Sequence, residues 1–283
     1  DRSMWRDYIL PALGRMKVTK GSHEDGDRLH AEIGRTKPVR ANRVVEVLRK
    51  AMNLAIRWGW RADNPASGVR RNREEKRDRY LTPTEILKLT TALAEHPERT
   101  SADAILFLLL TGARRSEALK ATWDQVDLDA GIWSKPSAET KQRRTHRVPL
   151  APPAVGLRRA ETVGTCFFPG VSPDRPLTDV KRTWLAVSRA AGLVERNTTP
   201  SVRRGRRDND ASPPSEQPRP LFRLHDLRHT YASLLASQGM SLPIIGALLG
   251  HTQTQTTARY AQLLDDPLRA ATTAAAQVIA PGR

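Results

Sequence analysis

The sequence is poor in cysteine and in long apolar runs, and each shortage excludes a class of protein. One cysteine, Cys166, stands in 283 residues, so the chain forms no intrachain disulfide and holds no cysteine-based zinc site. The longest apolar run, Ala104 to Leu110, is too short to span a membrane. We also expect no signal peptide. We therefore expect a reducing, cytoplasmic location.

Positive charge is what the sequence has in excess. Lys and Arg number 47 against 30 Asp and Glu, which gives a formal net charge of +17. This surplus of positive charge favours binding to a polyanion. The sequence shows neither a basic amphipathic helix nor a lipidation motif that would direct the chain to a membrane. Nucleic acid is the expected partner. The alternative is a basic protein from a GC-rich genome, in which arginine is simply common.

Apolar spacing and charge predict two domains. Residues 41–60 carry apolar side chains at helical spacing, whereas residues 69–79 are densely charged and nearly devoid of them. We therefore predict a helical domain at 1–70, a basic linker at 71–77 and a second domain at 78–283. Because the chain starts at an aspartate, we expect the natural N-terminus to lie further upstream.

Helix signals outnumber strand signals in the second domain, so the expected fold class is mainly α with a small β-sheet. Residues 82–85 form a capping box with proline at the first helical position, and Ser101 is predicted to cap the next helix. Strands are predicted at 131–133, 147–150 and 167–168. Residues 195–220 are rich in Pro, Arg and Ser, which predicts a flexible surface insertion.

Two segments carry arginines in settings suited to anion binding. TGARRSE places Arg114 at the junction of two helices, with Glu117 one turn later. An ordinary surface arginine is the alternative there. In HDLRHT, His225 and Arg228 share a helical face and form a phosphate-gripping pair. His225 with His229 is the alternative, as a two-histidine metal site, but the segment lacks the glutamate of a His-Glu-x-x-His motif.

Two further segments are ambiguous by themselves. Residues 135–150 predict a basic hairpin with Lys141 near its tip, which either contacts a DNA backbone or lies in solvent. His251 follows the helix-ending Gly250, and Tyr260 comes nine residues later. In isolation such a histidine is structural, and such a tyrosine packs half-buried with its hydroxyl bonded nearby.

Together these groups fit metal-free cleavage of a phosphodiester. Two arginine forks fix the nonbridging oxygens, histidines transfer protons, and a lysine on the hairpin protonates the leaving 5′ oxygen. A tyrosine hydroxyl, with an ordinary pKa of about 10, becomes a nucleophile where cations favour its phenolate. The resulting phosphotyrosyl ester retains the energy of the broken bond, so another DNA end can be joined without ATP.

The same segments resemble the tyrosine recombinases, in particular phage-type and genomic-island integrases, from about Pro11 to the C-terminus. TGARRSE resembles their first-arginine box, ETKQRRTHRVPL their β-hairpin, HDLRHT their His-x-x-Arg box, and LLGH with TTARY their last box. The resemblance implies the catalytic residues Arg114, Lys141, His225, Arg228, His251 and Tyr260, the last as nucleophile. It implies no metal and no cofactor.

The resemblance also implies partners and an architecture. A helical core-binding domain and a mixed α/β catalytic domain would clamp double-stranded DNA at an attachment site. Integrases of this kind act as a homotetramer on two duplexes, with accessory DNA-bending or directionality factors. The expected outcome is integration or excision of a phage or genomic island.

Three other functions fit part of the sequence. A non-enzymatic DNA-binding protein explains the charge but not the six residues together. A metal-dependent nuclease needs clustered carboxylates, and the one tight group, Asp124, Asp127 and Asp129, matches no calcium-loop spacing. A relaxing topoisomerase shares the chemistry, but residues 41–60, followed by Asn64-Pro65, resemble the core-binding domain of an integrase.

Overall fold

A computed structural model describes residues 1–74, 79–136, 145–157, 164–195 and 218–279. The chain divides into two compact units, Asp1–Asp78 and Arg79–Arg283. Both are mainly helical, and the described strands all lie in the second unit, so the predicted fold class is confirmed. No helix in the described ranges is long and apolar enough to cross a membrane.

All the regular elements described in the first unit are helices. Its helices are α1 (Arg2–Met4), α2 (Leu10–Leu13), α3 (His23–Gly34) and α4 (Pro38–Arg57), with a π-helical turn over Trp5–Ile9. A capping box between Ser22 and Asp25 starts α3, a helix that the sequence pattern did not predict. Pro38 starts α4, which confirms the helix predicted at 41–60. Leu29 of α3 and Leu48 of α4 lie in the shared apolar core.

A buried asparagine holds the end of the first unit against its helices. The Asn42 side chain is 2% exposed, and its Nδ2 donates to Asn72 O at 2.9 Å and to Glu74 Oε1 at 2.8 Å. Its Oδ1 accepts from the Asn72 backbone N–H at 2.9 Å and lies 2.9 Å from Nε2 of His30. The first residues of the predicted linker are therefore bound to α4, while residues 75–78 lie outside the described ranges.

The second unit contains the remaining described elements. Its helices are α5 (Pro83–Glu95), α6 (Arg99–Thr111), α7 (Arg115–Leu119), α8 (Pro152–Gly156), α9 (Lys181–Ala190), α10 (Asp226–Ser237), α11 (Leu242–Leu249), α12 (Thr254–Ala258) and α13 (Asp265–Ile279). Its strands are β1 (Val126–Asp127), β2 (Ile132–Lys135), β3 (His146–Pro149), β4 (Val194–Glu195) and β5 (Arg219–Pro220). Short 3₁₀ turns lie at Trp123–Gln125 and Ala261–Leu264.

Helix α6 is the centre of the second unit because its apolar residues face inward on nearly every side. Its Phe107 is fully buried, with ring centroids 5.3 Å from Trp133, 5.5 Å from Phe167 and 5.4 Å from Phe168. Trp133 belongs to an antiparallel sheet of order β1-β2-β3, in which it pairs with Val148. The aromatic cluster therefore anchors the sheet on α6.

The predicted strands at 131–133 and 147–150 are confirmed as β2 and β3, but the strand at 167–168 is wrong. Phe167 and Phe168 are buried in the aromatic cluster outside any strand, and Cys166 beside them makes one isolated bridge with Thr122. Two adjacent phenylalanines signal burial, and burial alone does not distinguish a strand from an irregular core segment.

Of the two predicted helix starts, the one at Thr82 is confirmed and the one at Ser101 is wrong. The capping box of α5 is present, with the Glu85 N–H donating to Thr82 Oγ1 at 3.3 Å and the Thr82 N–H to Glu85 Oε2 at 2.9 Å. Ser101 does not cap α6, because the helix begins earlier and the Glu98 carboxylate accepts from the Ser101 backbone N–H at 3.3 Å. Glu98 therefore caps α6, in place of the predicted Ser101.

The predicted insertion at 195–220 begins and ends at paired strands. Val194 of β4 pairs with Pro220 of β5, and Glu195 pairs with Arg219, in antiparallel register. Residues 196–217, which make up the rest of the insertion, lie outside the described ranges. The two ends of the segment are therefore held together on the second unit.

Replacing Gly112 with alanine should destabilise the second unit more than replacing Gly192. Both glycines have positive φ, +61° and +69°, which costs another residue roughly 1–2 kcal/mol. An added Cβ at Gly112 would lie 2.5 Å from Tyr231 Cδ1 and 2.8 Å from Leu249 Cδ2, whereas at Gly192 it meets nothing within 4 Å. The overlap adds about 1–3 kcal/mol.

Thermal unfolding measures the difference. Since 1 kcal/mol moves the melting temperature of a domain of this size by about 2–4 °C, Gly112→Ala should melt several degrees below Gly192→Ala. Equal melting temperatures would show that the Tyr231 and Leu249 contacts carry no cost.

Candidate active site

Four of the predicted catalytic residues line one polar cleft of the second unit. The cleft is lined by Arg114, His225, Arg228, His251, Thr252, Gln253 and Thr256. These residues come from the start of α7, the start of α10, the segment between α11 and α12, and α12 itself. The fold therefore brings together boxes that are far apart in the sequence.

Arg114 reaches the cleft because a tight turn separates α6 from α7. Gly112 ends α6 in the left-handed conformation, and Arg114 is the residue before α7. Its Nη1 donates to Glu117 Oε1 at 2.6 Å, and its backbone N–H donates to Glu117 Oε2 at 3.3 Å. Its side chain is 34% exposed, so the guanidinium is oriented by the carboxylate and still accessible from the cleft.

Arg228 is buried and joins the ends of two helices. Its Nη1 donates to Gly112 O and its Nη2 donates to Leu249 O, each at 2.7 Å. Carbonyls at helix ends lack partners within the helix, and the planar guanidinium supplies one for each. Burial and the nearby Arg114 charge lower the pKa of Arg228 to about 10, so it remains a cation at neutral pH.

The histidines of the cleft are neutral at pH 7. His251 Nδ1 lies 2.9 Å from Thr257 Oγ1, and burial, with Arg228 next in importance, lowers the pKa of His251 to about 4. Partial desolvation, again assisted by Arg228, lowers the pKa of His225 below its usual range. Each imidazole therefore offers one N–H donor and one acceptor, and the arginines supply the positive charge.

Tyr260 lies beside the cleft, next to His229. The tyrosine is 5% exposed, and its hydroxyl oxygen is 2.6 Å from Nδ1 of His229. The His229 ring meets the ring of His225 edge to face, with centroids 5.0 Å apart. Burial, reinforced by the charge of Arg259, lowers the pKa of His229 to about 4. A neutral imidazole thus holds the tyrosine hydroxyl one ring away from a cleft-lining histidine.

The hydrogen bond to Tyr260 gives His229 a role that the sequence did not suggest. The sequence pattern suggests His229 only as a metal ligand with His225. Within the described ranges no group of three or more His, Cys, Asp or Glu side chains is placed to hold a metal ion. The spacing of the two segments carries no signal of the contact, because His229 and Tyr260 are 31 residues apart.

Lys141 lies outside the described residues, but another lysine of the same hairpin lies inside the site. Lys135 is 3% exposed, and its Nζ is 2.8 Å from Glu117 Oε2 and 4.5 Å from the centroid of the Trp133 ring. The sequence did contain a signal for the burial of Lys135, because alternate residues of a strand share a face. Trp133 is fully buried, so the lysine two positions on had to point inward too.

His146 fixes strand β3 to the end of α11. Its Nε2–H donates to Ala247 O at 2.7 Å. An added Cβ at Gly250, which has φ +66°, would lie 2.8 Å from the His146 ring. The hairpin strand and the turn that leads to His251 are therefore packed directly together.

The sequence is similar to known proteins over most of its length. The family model described as "Phage integrase family" matches residues 79–266. An integrase of Streptomyces ambofaciens is 28% identical over 88% of this chain and 66% of its own length. The prophage integrase IntA of Escherichia coli K12 is 28% identical over 68% of this chain, and the integrase of Salmonella phage P22 is 26% identical over 89%. The chain spans 48% of the length of IntA and 64% of the P22 protein.

Solved structures share the fold. A lambda integrase dimer bound to a core site superimposes with a TM-score of 0.68 at 20% identity, covering 94% of this chain and 87% of that one. The Tn1549 transposon integrase in complex with a circular-intermediate DNA gives 0.69 at 16% identity, covering 92% and 86%. Since the family model matches well over half of its residues, the chain belongs to the phage integrase family.

Proposed function

We propose that the protein is a site-specific DNA recombinase of the integrase type. It cuts and rejoins DNA through a 3′-phosphotyrosyl intermediate, without metal or ATP, and integrates or excises a phage or genomic island. The observation that carries the proposal is the convergence of Arg114, His225, Arg228 and His251 on one cleft, with Tyr260 beside it.

The cleft is suited to a pentacoordinate phosphate. Two guanidinium groups, one held by Glu117 and one by backbone carbonyls, are already oriented when the phosphate arrives. Fixed cations stabilise the charge that develops on the nonbridging oxygens without a reorganisation cost at the moment of reaction. His225 and His251 are neutral, so they hydrogen-bond to the phosphate oxygens and pass protons.

In the cleavage step the Tyr260 oxygen attacks phosphorus and the bond to the 5′ oxygen breaks. The tyrosine loses its proton, with His229 as the neighbouring acceptor, and the leaving oxygen gains one from Lys141. The product is a 3′-phosphotyrosyl ester with a free 5′ hydroxyl. Attack by a 5′ hydroxyl of another strand reverses these steps and rejoins the DNA.

The proposed partners follow from charge and from the relatives. The net charge of +17 favours double-stranded DNA, with the first unit as a core-binding domain and the second as the catalytic domain. One lambda integrase structure is a tetramer bound to a Holliday junction, and we extend that assembly to this chain. Accessory DNA-bending or directionality factors and a cytoplasmic location, associated with the nucleoid, complete the proposal.

Removing the Tyr260 hydroxyl should abolish covalent chemistry and leave DNA binding intact. Tyr260→Phe takes away one oxygen from a packed ring, so we expect normal affinity but no covalent adduct with a nicked attachment-site duplex. Tyr231→Phe is the matched control, because Tyr231 is half-buried in the same apolar cluster, and it should still form the adduct. A denaturing gel of labelled DNA separates the outcomes, with and without EDTA.

Either of two results would count against this assignment. An adduct that survives Tyr260→Phe would remove the nucleophile. Cleavage that stops in EDTA would favour a metal-dependent nuclease.

Arg114→Lys should slow cleavage far more than it weakens binding. Lysine keeps the charge but loses the planar fork that Glu117 orients, so we expect adduct formation to fall by roughly 10² or more. Arg115→Lys is the neighbouring control, since Arg115 is exposed and its Nη1 lies 3.4 Å from Asp179. Single-turnover cleavage and equilibrium binding are measured for both. Equal losses of binding and cleavage in Arg114→Lys would make it an ordinary phosphate contact.

DNA affinity should fall steeply with salt. A protein that neutralises several phosphates releases as many counterions, and the logarithm of its binding constant falls by about 0.9 per phosphate for each tenfold rise in salt. Fluorescence titration of a duplex at four or five salt concentrations gives the slope. A flat response would contradict binding through the basic surface.

A further inference from the structure

One carboxylate is shared between two cations in the candidate active site. Oε1 of Glu117 accepts from Arg114 Nη1 at 2.6 Å, and Oε2 lies 2.8 Å from Lys135 Nζ. The Glu117 side chain is 9% exposed and that of Lys135 is 4% exposed, whereas that of Arg114 is 34% exposed. The buried lysine thus lies behind the carboxylate, and the accessible arginine lies in front of it.

Lys135 is poorly placed to meet DNA itself. Its ammonium group is enclosed between the Glu117 carboxylate and the face of the Trp133 ring. Lys135 is also absent from the lining of the cleft, which contains four of the predicted catalytic residues. The contact with Glu117 is therefore what links Lys135 to the arginine of the cleft.

Burying an ion pair at this position carries a desolvation cost. Burial lowers the pKa of Lys135, while for Glu117 burial is outweighed by Lys135 and Arg114, and the pKa falls to about 2. Glu117 is therefore a carboxylate at neutral pH, and its 2.8 Å contact with Nζ favours the ammonium form of Lys135. Apolar side chains of similar volume often replace a buried ion pair with no loss of stability, so stability alone gives little reason for a lysine here.

Charge balance shows what the lysine adds. If Glu117 were paired with Arg114 alone, the pair would be neutral, and a phosphate would compete with the carboxylate for the guanidinium. With Lys135 as a second counter-ion, the three groups together carry one net positive charge. The bond from Lys135 to Oε2 also fixes the rotation of the carboxylate, which leaves Oε1 aimed at Arg114.

We propose that Lys135 is a positioning residue that acts through Glu117 to keep Arg114 oriented and positively charged toward the scissile phosphate. This role rests on the proposed function, in which Arg114 binds that phosphate. Lys135 is distinct from Lys141, to which the proton-donor role is assigned.

A double-mutant cycle tests the route through Glu117. We expect Lys135→Met to slow adduct formation on a nicked duplex by about tenfold or more, with DNA affinity within a few-fold of wild type. In the Glu117→Gln background the carboxylate is gone, so the same lysine substitution should change the rate by less than about threefold. Thermal unfolding of all four proteins shows whether each folds.

Two results of the cycle overturn the proposal. An equal slowing by Lys135→Met in both backgrounds means that Lys135 acts independently of Glu117. An unchanged rate in the wild-type background means that it has no role in the reaction.

The leaving group separates a positioning lysine from a proton donor. A duplex with sulfur in place of the bridging 5′ oxygen releases a thiolate, which needs no proton to leave. We expect this substrate to restore cleavage to Lys141→Ala but not to Lys135→Met. Restoration of Lys135→Met would make Lys135 the proton donor and overturn the positioning role.

The wild-type protein distinguishes failure of this inference from failure of the proposed function. If the wild type forms no adduct on either substrate, the recombinase function fails, and the role of Lys135 fails with it. If the wild type forms the adduct and the cycle shows no coupling between Lys135 and Glu117, the positioning role alone is wrong.

Discussion

The candidate site depends on one buried guanidinium. Arg228 donates to the last carbonyls of two turns, Gly112 O and Leu249 O, and so ties α6 and α11 to the helix that carries it. Arg114 follows the first turn, and His251 follows the second. A lysine in its place has one nitrogen and cannot reach both carbonyls with the same geometry. The positions of the other cleft residues therefore follow from how this arginine is satisfied.

Concentrating cations in a partly buried cleft requires compensation, and the fold supplies it with dipoles and one carboxylate. Backbone carbonyls compensate Arg228, and Glu117 is shared by Arg114 and Lys135. The histidines contribute no charge at neutral pH, because desolvation and the nearby arginines disfavour their protonated forms. The result is a site with a net positive charge and neutral hydrogen-bonding groups, which is suited to a phosphate that gains charge during reaction.

Local signals in the sequence predicted local features, and they failed where a feature depended on packing. The capping box at Thr82 and the helix-ending glycine at Gly250 involve only neighbouring residues, and both are present. The strand predicted at Phe167-Phe168 is wrong, because the two rings are buried against α6 without pairing in a sheet. The cap predicted at Ser101 is wrong because α6 already begins at Arg99, with Glu98 as the cap that accepts from the Ser101 backbone N–H.

The amino-acid sequence by itself determined the mainly helical fold class, the main helix stops and the residue types of the site, since these follow from spacing, caps and short boxes. Only the tertiary structure decided which residues of the site contact one another. His229 meets Tyr260 across 31 positions, Lys135 meets Glu117 across 18, and Arg228 meets Gly112 across 116. No periodicity relates such positions. Their contacts exist because α6, α10, α11 and the hairpin pack around shared cores, and packing fixes which polar groups are buried together and must satisfy one another.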